Sequence, residues 1–401
     1  MAVSPQSSQA ESDRTPANPK ASAPRFYVPE LDPLRFFSFF GVFIWHLPLT
    51  PLILWKPGVI RSLVIAPSFG AALLMTVSGY LNTTLLLKEA AKKGRVDAMA
   101  FYTRRFLRIA PLYYIFIAII FLLSSYSNYF DVTPGYLLSM MFFMGNSRFF
   151  QSELPIWNYI IGPLWTVSVE FHFYMLVPWL VGNGSRRRLL ISGWTMIAVA
   201  FISRIVWVKL GNTGPLWINT LADLDMFGVG ILIAAIATTG LPELRLPIRA
   251  LLVIGGLSAW FSAVYFFDFY SLTQTAVNVS IAYPALAFGN GALMLASIGA
   301  GKAGARFMLN EWLQYLGAIS CGLYVYHGLA ILTTRLLMFE GVLAWAPSGS
   351  GAPLMGLLMY FVYAATAFVL TVAMAAASYR WLETPFLKIK TRFTYVPSHP
   401  V

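Results

Sequence analysis

Long apolar stretches separated by short polar connectors make up almost the whole of this sequence. A membrane-spanning helix needs about 17–25 mostly apolar residues. Ten runs meet this requirement, at residues 36–55, 65–87, 109–127, 164–181, 189–209, 219–239, 249–267, 276–299, 314–338 and 354–378. The pattern predicts an all-α membrane protein, a polytopic bundle of about ten transmembrane helices.

A further apolar stretch, residues 135–150, is shorter and contains Gly-Asn-Ser-Arg near its end. Irregular backbone at membrane depth is tolerated where it is buried in protein. We therefore expect this stretch to be re-entrant or interfacial, the alternative being an eleventh crossing.

The composition supports a membrane location. The sequence is 58% hydrophobic and 11% charged, with a mean hydropathy of +0.67, whereas a soluble domain carries about 25% charged residues. A single cysteine, Cys321, leaves no disulfide framework. We expect one transmembrane domain over residues 31–387, between a disordered cytoplasmic tail at 1–30 and a short basic cytoplasmic tail at 388–401.

The basic residues predict the orientation. Of the 28 Lys and Arg residues, 22 lie in connectors and tails that share one side, provided that 135–150 does not cross. The positive-inside rule then places both termini in the cytoplasm, with the chain in the cell inner membrane. The net charge of +12 therefore reflects the basic residues of the cytoplasmic connectors and tails. We expect a lipid bilayer as partner and no nucleic acid.

The first apolar run holds an ionisable pair. Arg35 stands at its edge and His46 follows eleven residues later. On a helix this separation is about 16 Å, which puts the imidazole near the middle of a bilayer core about 30 Å thick. An ionisable group at that depth is by default a functional-site hypothesis.

Other polar side chains are predicted at similar depth, namely Ser78, Glu170, Tyr324 and His327. Glu170 would fix the tautomer of His46 for general-base chemistry, bind a substrate hydroxyl, or form a structural pair with His46 between two helices. His172 points about 200° away from Glu170 on a helix, so we expect it to pack rather than to share the site.

Two arginines three residues apart, Arg105 and Arg108, share a helix face at the start of a span. With Arg35 they would hold a polyanion, although attraction to lipid head groups is the simpler explanation on spacing alone. Asp223 and Asp225 open another span and would bind acceptor hydroxyls or cap the helix. No metal site is expected, because the sequence lacks a His-Glu-x-x-His motif and any Cys cluster.

Taken together, these segments resemble the acyltransferase 3 family of integral-membrane acyltransferases. Six motifs occur in the family's order: Leu31-Asp32-x-Leu34-Arg35 with the Arg35-x10-His46 spacing; Ser78-Gly79-Tyr80; Arg105-x-x-Arg108-Ile109-x-Pro111; Leu164-Trp165-Thr166-Val167-Ser168-Val169-Glu170; Leu316-Gly317-x-x-Ser320 with Tyr324 and His327; and Trp381-Leu382-Glu383-Thr384-Pro385. The chain departs from the family pattern at four positions, Pro33, Phe36, His172 and Cys321.

The resemblance implies transfer of an acyl group, most simply acetyl, from acyl-CoA to a hydroxyl of an extracytoplasmic or lipid-linked carbohydrate. It implies a catalytic pair, His46 and Glu170, in which His46 either deprotonates the acceptor or carries the acyl group. Acyl-CoA is then a co-substrate, and no tightly bound cofactor is expected. Its expected contacts are Arg35, Ser78, Arg105 and Arg108, and the expected acceptor contacts are Trp165, Asp223, Asp225, Tyr324 and His327.

Three alternatives stay open at this point. The acceptor is a small glycosylated metabolite such as a macrolide, with the same reaction. The chain is a proton-coupled transporter or flippase, whose buried ionisable groups relay protons. A structural scaffold explains the basic connectors but leaves the buried His46 and Glu170 without a role.

Overall fold

The computed structural model describes residues 26–48, 58–124, 126, 132–147, 160–241, 243–298, 308–339 and 352–396. Within these ranges the secondary structure is helical and contains no strand. The described residues do not include residues 1–25 of the tail expected at 1–30, the end of the first apolar run, or the basic residues Lys302 and Arg306. The all-α prediction is confirmed for the part described.

The helices follow the apolar runs closely. They are α1 (Leu31–His46), α2 (Val59–Ile65), α3 (Gly70–Lys93), α4 (Ala98–Ser124), α5 (Pro134–Met141), α6 (Trp165–Val181), α7 (Arg186–Lys209), α8 (Leu224–Ala237), α9 (Leu246–Tyr265), α10 (Ala276–Ile298), α11 (Glu311–Ala318), α12 (Ser320–Phe339), α13 (Ala352–Ser378) and α14 (Thr384–Lys390). A 3-10 turn, Ala66–Phe69, joins α2 to α3.

Seven helical segments in the described ranges are long and apolar enough to cross a membrane, or eight if a bent pair forms one span. The count of about ten is therefore reached only in part. Helix α1 has 16 residues and α8 has 14, and α11 and α12 meet at 74° instead of forming one straight span.

Helix α1 ends at His46 for a local reason. Leu47 precedes Pro48, and a residue before proline is pushed out of the helical region. Leu47 accordingly has extended backbone, with φ −62° and ψ 139°. His46 thus occupies the last turn of α1, eleven residues beyond Arg35 on one continuous helix.

The stretch predicted to be re-entrant or interfacial forms a single short helix in its described part. Helix α5 has eight residues, and its N-cap Thr133 accepts a hydrogen bond from the Tyr136 N–H. Eight residues extend about 12 Å, far less than a bilayer core. As a helix, α5 is too short to cross.

Close approach of backbones fixes the centre of the bundle. A Cβ on Gly79 of α3 would collide with the Phe227 backbone of α8, and one on Gly230 of α8 would collide with the Thr76 backbone of α3. Small residues at such crossings let membrane helices pack on one another. The crossing also sets the position of Ser78, the neighbour of Gly79.

The chain turns after α13 through a five-residue π-helix, Tyr379–Glu383. Thr384 donates both its N–H and its hydroxyl to the Tyr379 carbonyl, the hydroxyl at 2.6 Å. Single π turns are rare and occur frequently at functional sites. This turn directs α14 back against α4.

Candidate active site

A cavity of about 270 Å³ lies among α1, α3, α4, α6, α12 and α14. Six of the residues predicted from the sequence line it: Arg35, Ser78, Arg105, Arg108, Glu170 and Tyr324. The remaining five, His46, Trp165, Asp223, Asp225 and His327, are not in its wall. Trp165 instead packs against the largest apolar core of the bundle.

The cavity is strongly basic. Its wall contains five cationic side chains and three carboxylates: Arg35, Arg104, Arg105, Arg108 and Lys390 against Asp32, Glu89 and Glu170. The formal charge of the wall is therefore +2. Four of these groups, Asp32, Glu89, Arg104 and Lys390, were not among the predicted site residues. Asp32 was noted only as part of the opening motif, and the other three lie in segments interpreted as a topology signal.

Two of the cations are already neutralised. Arg35 donates to Asp32 at 3.0 Å, and the Tyr27 hydroxyl donates to the other oxygen of the same carboxylate at 2.7 Å. Arg104 donates to Glu89 at 2.6 Å. Arg105, Arg108 and Lys390 form no ion pair with a carboxylate in the part of the chain that the structure describes.

Aromatic rings and a carbonyl hold the two free arginines. The Arg105 guanidinium carbon lies 5.3 Å from the Phe101 ring centre and 5.6 Å from that of Tyr174, within cation–π range. Its Nε is buried without a hydrogen-bond partner. Arg108 donates to the Ala318 carbonyl at 3.3 Å, where the backbone breaks between α11 and α12. Both groups keep donors for a ligand in the cavity.

Glu170 and His172 lie on different faces of α6, as the helical angle predicts. Glu170 shares the cavity with Arg105 and Tyr174. The His172 Nδ1 is 2.8 Å from the Thr220 hydroxyl, outside the cavity. His172 therefore joins α6 to the segment before α8 and has a packing role.

The partner of His46 is a second imidazole. His46 Nδ1 lies 3.3 Å from His327 Nε2, and the ring centres are 5.0 Å apart. His46 and Glu170 form no ion pair, which differs from the expected His46–Glu170 contact. The reason is angular, because Glu170 faces Arg105 on α4 while the end of α1 packs against α12.

Backbone carbonyls fix the tautomers of both rings. His46 Nδ1 is 2.9 Å from the Val42 carbonyl, and His327 Nδ1 is 2.6 Å from the Tyr324 carbonyl. Since a carbonyl oxygen only accepts, each Nδ1 carries the proton when the ring is neutral. The single proton on His46 Nδ1 is then shared between two acceptors, the Val42 carbonyl at 2.9 Å and His327 Nε2 at 3.3 Å, and His46 Nε2 keeps a free lone pair.

Tyr324 connects the cavity to this histidine pair. Its side chain lines the cavity, and its hydroxyl donates to the Pro163 carbonyl at 3.3 Å. Its backbone carbonyl accepts from His327. On the facing wall, Asn82 donates to the Ser78 hydroxyl at 2.9 Å. Tyr324, His327 and Ser78 are therefore held by neighbours rather than free to rotate.

The aspartates at the start of α8 belong to a separate buried cluster. Asp225 accepts from Arg204 of α7 at 2.7 Å, and both side chains are at most 1% exposed. Arg204 also lies over the Tyr283 ring at 4.8 Å. Asp223 makes no side-chain cap bond, so the expected cap is not formed by its side chain, and its expected contact with an acceptor hydroxyl stays a prediction. The sequence signal for Arg204 was its position as a lone cation inside an apolar run.

No group of three or more His, Cys, Asp and Glu side chains that could hold a metal ion occurs within the described ranges.

Fold and cavity together define a polytopic membrane protein in which a basic cavity adjoins an imidazole pair, with His327 buried and His46 half-buried. The chain belongs to the acyltransferase 3 family: the family model for an acyltransferase domain matches residues 28–378. This match confirms the resemblance predicted from the six motifs.

Two similar proteins are the O-acetyltransferase OatA of Staphylococcus aureus strains NCTC 8325 / PS 47 and COL. Each is 24% identical over 407 residues, which cover 92% of this chain and 58% of the relative. The chain thus spans under two thirds of the length of these curated relatives. No solved structure matches.

Proposed function

We propose that this protein transfers an acyl group, most simply acetyl, from acyl-CoA to a hydroxyl of an extracytoplasmic or lipid-linked carbohydrate. The observation that carries the proposal is one cavity with free arginines in its wall and, through Tyr324, a direct connection to the His46–His327 pair. The names of the relatives support acetyl transfer to oxygen.

The dimensions suit an extended thioester donor. Arg35 and His46 stand at opposite ends of α1, about 16 Å apart along the helix axis. Arg105 and Arg108 would hold phosphate oxygens with their planar guanidinium groups. The pantetheine arm would then run from the arginines towards Tyr324, with the thioester near His46.

His46 Nε2 would take the proton from the acceptor hydroxyl as its oxygen attacks the thioester carbonyl. The carbon–sulfur bond breaks, and the CoA sulfur leaves with the proton that His46 then returns. Alternatively, Nε2 attacks the thioester carbonyl itself, the carbon–sulfur bond breaks and CoA leaves as the thiolate. The acceptor oxygen then attacks the acyl group on Nε2, the carbon–nitrogen bond breaks, and the hydroxyl proton passes to the thiolate. Glu170, half-buried in the cavity wall, would bind the donor or an acceptor hydroxyl instead of orienting His46.

The experiment measures thiol release from acetyl-CoA by purified protein in lipid nanodiscs, with a carbohydrate acceptor pool and with a macrolide-type acceptor. We expect the wild type to release CoA. His46→Ala should lower the rate by about 10²-fold or more, the contribution typical of a general base. Arg108→Ala should raise the KM for acetyl-CoA and largely spare kcat, since its contact is with the donor.

His172→Gln is the matched control, because this histidine lies outside the cavity and its loss should leave the rate close to that of the wild type. Absence of CoA release by the wild type with every donor and acceptor would contradict the proposal. A burst of acetylated protein in the wild type but not in His46→Ala, without acceptor, would identify His46 as the acyl carrier.

A further inference from the structure

The segment from Thr384 to Val396, which follows α13 and the π-helix, forms part of the cavity wall. Five of its residues line the cavity: Leu387, Lys390, Thr394, Tyr395 and Val396. We refer to residues 384–396 as the C-terminal strap. The strap consists of α14, a 3-10 turn at Thr391–Phe393 and the three residues that follow it.

Specific contacts hold the end of the strap at Tyr395. Its hydroxyl donates to Asp97 at 3.0 Å, and its carbonyl accepts from Lys92 at 3.0 Å. The Lys93 ammonium lies 3.0 Å from the centre of its ring. Asp97 is a good acceptor, because the Ala100 N–H, the Tyr395 hydroxyl and Lys93 lower its pKa and keep the carboxylate ionised at neutral pH.

A second contact ties the strap to the basic face of α4. Arg104, which is already paired with Glu89, also donates to the Phe393 carbonyl at 2.7 Å. The strap is therefore fastened on both sides of the α3–α4 connector, and its position against the cavity is defined by hydrogen bonds rather than by apolar contact alone.

The strap places the ammonium group of Lys390 close to other positive charges, which repel it. Lys390 is half-buried in the cavity wall and interacts electrostatically with Arg104, Arg105 and Arg108. No described carboxylate pairs with it. Like charges repel more strongly in a low-dielectric site than in water. The Nε of Arg105 in this cluster of cations is buried without a hydrogen-bond partner. A multiply charged anion bound in the cavity would stabilise such a cluster.

Lys388 shows that this placement is particular to one side of α14. Two residues before Lys390, it is exposed and does not line the cavity. The helix therefore directs one lysine into the basic cavity and the other outward, which attraction to lipid head groups alone does not explain.

We propose that Lys390 is a further phosphate-binding residue of the donor site, held there by the C-terminal strap. The inference rests on the proposed function, since it takes acyl-CoA as the donor. Lys390 would add a compact ammonium to the forks of Arg105 and Arg108, so that three cations contact the phosphates of one CoA. The residue would set the preference for phosphorylated over unphosphorylated donors.

The test compares Lys390→Gln with Lys388→Gln in nanodiscs of phosphatidylcholine, which carries no net charge. The first measurement is the Kd for CoA, which needs no turnover. We expect the Kd to rise about 10-fold or more in Lys390→Gln, as for loss of a charged hydrogen bond, and to stay within about twofold of wild type in Lys388→Gln. Lys390→Arg should retain most of the affinity.

The second measurement is KM with three donors. Lys390→Gln should raise KM for acetyl-CoA and leave KM for S-acetyl-pantetheine, which has no phosphate, unchanged. An equal rise with acetyl-dephospho-CoA would assign Lys390 to the diphosphate, and a smaller rise would assign it to the 3′-phosphate. Equal losses with all three donors would mean that Lys390 only supports the strap and would overturn the inference.

Lipid head groups are the other source of phosphate. If the effect of Lys390→Gln appears only when phosphatidylglycerol is added to the nanodiscs, Lys390 binds lipid and the inference fails. The two proposals also fail separately. CoA binding that weakens in Lys390→Gln without any turnover overturns only the acyltransferase reaction. Turnover with an unchanged Kd in Lys390→Gln overturns only the role of Lys390.

Discussion

The interaction between His46 and His327 shows how a second imidazole, rather than a carboxylate, can hold an imidazole in an apolar bundle. A carboxylate beside His46 would have to be desolvated, at a cost that an ion pair repays only with excellent geometry. His327 is 1% exposed and its Nδ1 proton is committed to the Tyr324 carbonyl. It therefore offers only an acceptor to His46, which directs the His46 Nε2 lone pair outward without burying a charge.

Replacement of His327 should show whether it orients the His46 ring or contributes to binding of the acyl donor. His327→Ala removes the side-chain acceptor for the His46 Nδ1 proton and leaves only the Val42 carbonyl. We therefore expect kcat to fall by about 10-fold or more with the KM for acetyl-CoA little changed, following the contribution of general-base catalysis. His327→Gln can present an oxygen at similar reach and should recover part of the rate. Steady-state kinetics with varied acetyl-CoA provide the measurement. Equal rates in the two variants would show that His327 only fills space.

At the scale of elements, the site depends on how closely α3 and α8 approach. Gly79 and Gly230 face each other's helix, and a Cβ on either would collide with backbone atoms, which cannot rotate away. Ser78 lies one residue before Gly79 and is braced by Asn82. The same crossing that stabilises the bundle therefore fixes one wall of the cavity.

Gly230→Ala should destabilise the bundle by about 1–3 kcal/mol, the usual cost of over-packing an interior. Gly255→Ala is the control, because a Cβ there meets nothing within 4 Å and alanine is the better helix former. Thermal unfolding in detergent should show a lower Tm for Gly230→Ala and an unchanged or higher Tm for Gly255→Ala. A wild-type Tm for Gly230→Ala would mean that α3 and α8 are looser than the structure shows.

At the scale of the whole molecule, apolar run length predicted where the helices lie but not their ends or bends. Each of the ten runs contains helix in its described part. The end of α1 depends on Pro48, a local signal inside an apolar stretch. At the break between α11 and α12, Arg108 from the distant helix α4 donates to the carbonyl of Ala318. Run length contains no information about such contacts.

Depth along a span likewise predicted only part of the candidate site. Depth along a span placed Ser78, Glu170 and Tyr324 in one slab of the membrane, and the structure brings them to one cavity. Depth does not give the direction in which a side chain points around its helix. Predicting that His46 contacts His327 and not Glu170 would therefore have required the angular position of each side chain around its helix. The same is true of the ion pair between Asp225 and Arg204, which joins α7 and α8.

The predicted orientation in the membrane depends on whether α5 crosses. If α5 does not cross, α4 and α6 run in opposite directions and the basic connectors, including the Arg186–Arg188 turn, share one side with the C-terminal strap. The arginines of the cavity would then face the cytoplasm, where acyl-CoA is made, and His46 would lie towards the acceptor on the other side.

Cysteine labelling tests this topology in a Cys321→Ala background, which removes the single native thiol. With a membrane-impermeant maleimide on intact cells, we expect Ser147→Cys and Asn212→Cys to react and Lys388→Cys to react only after permeabilisation, because the first two follow α5 and α7 on the outer side. Labelling of Lys388→Cys in intact cells with protection of Asn212→Cys would reverse the topology. The basic cavity would then face away from cytoplasmic acyl-CoA, so a donor in the cytoplasm could not reach Arg105 and Arg108.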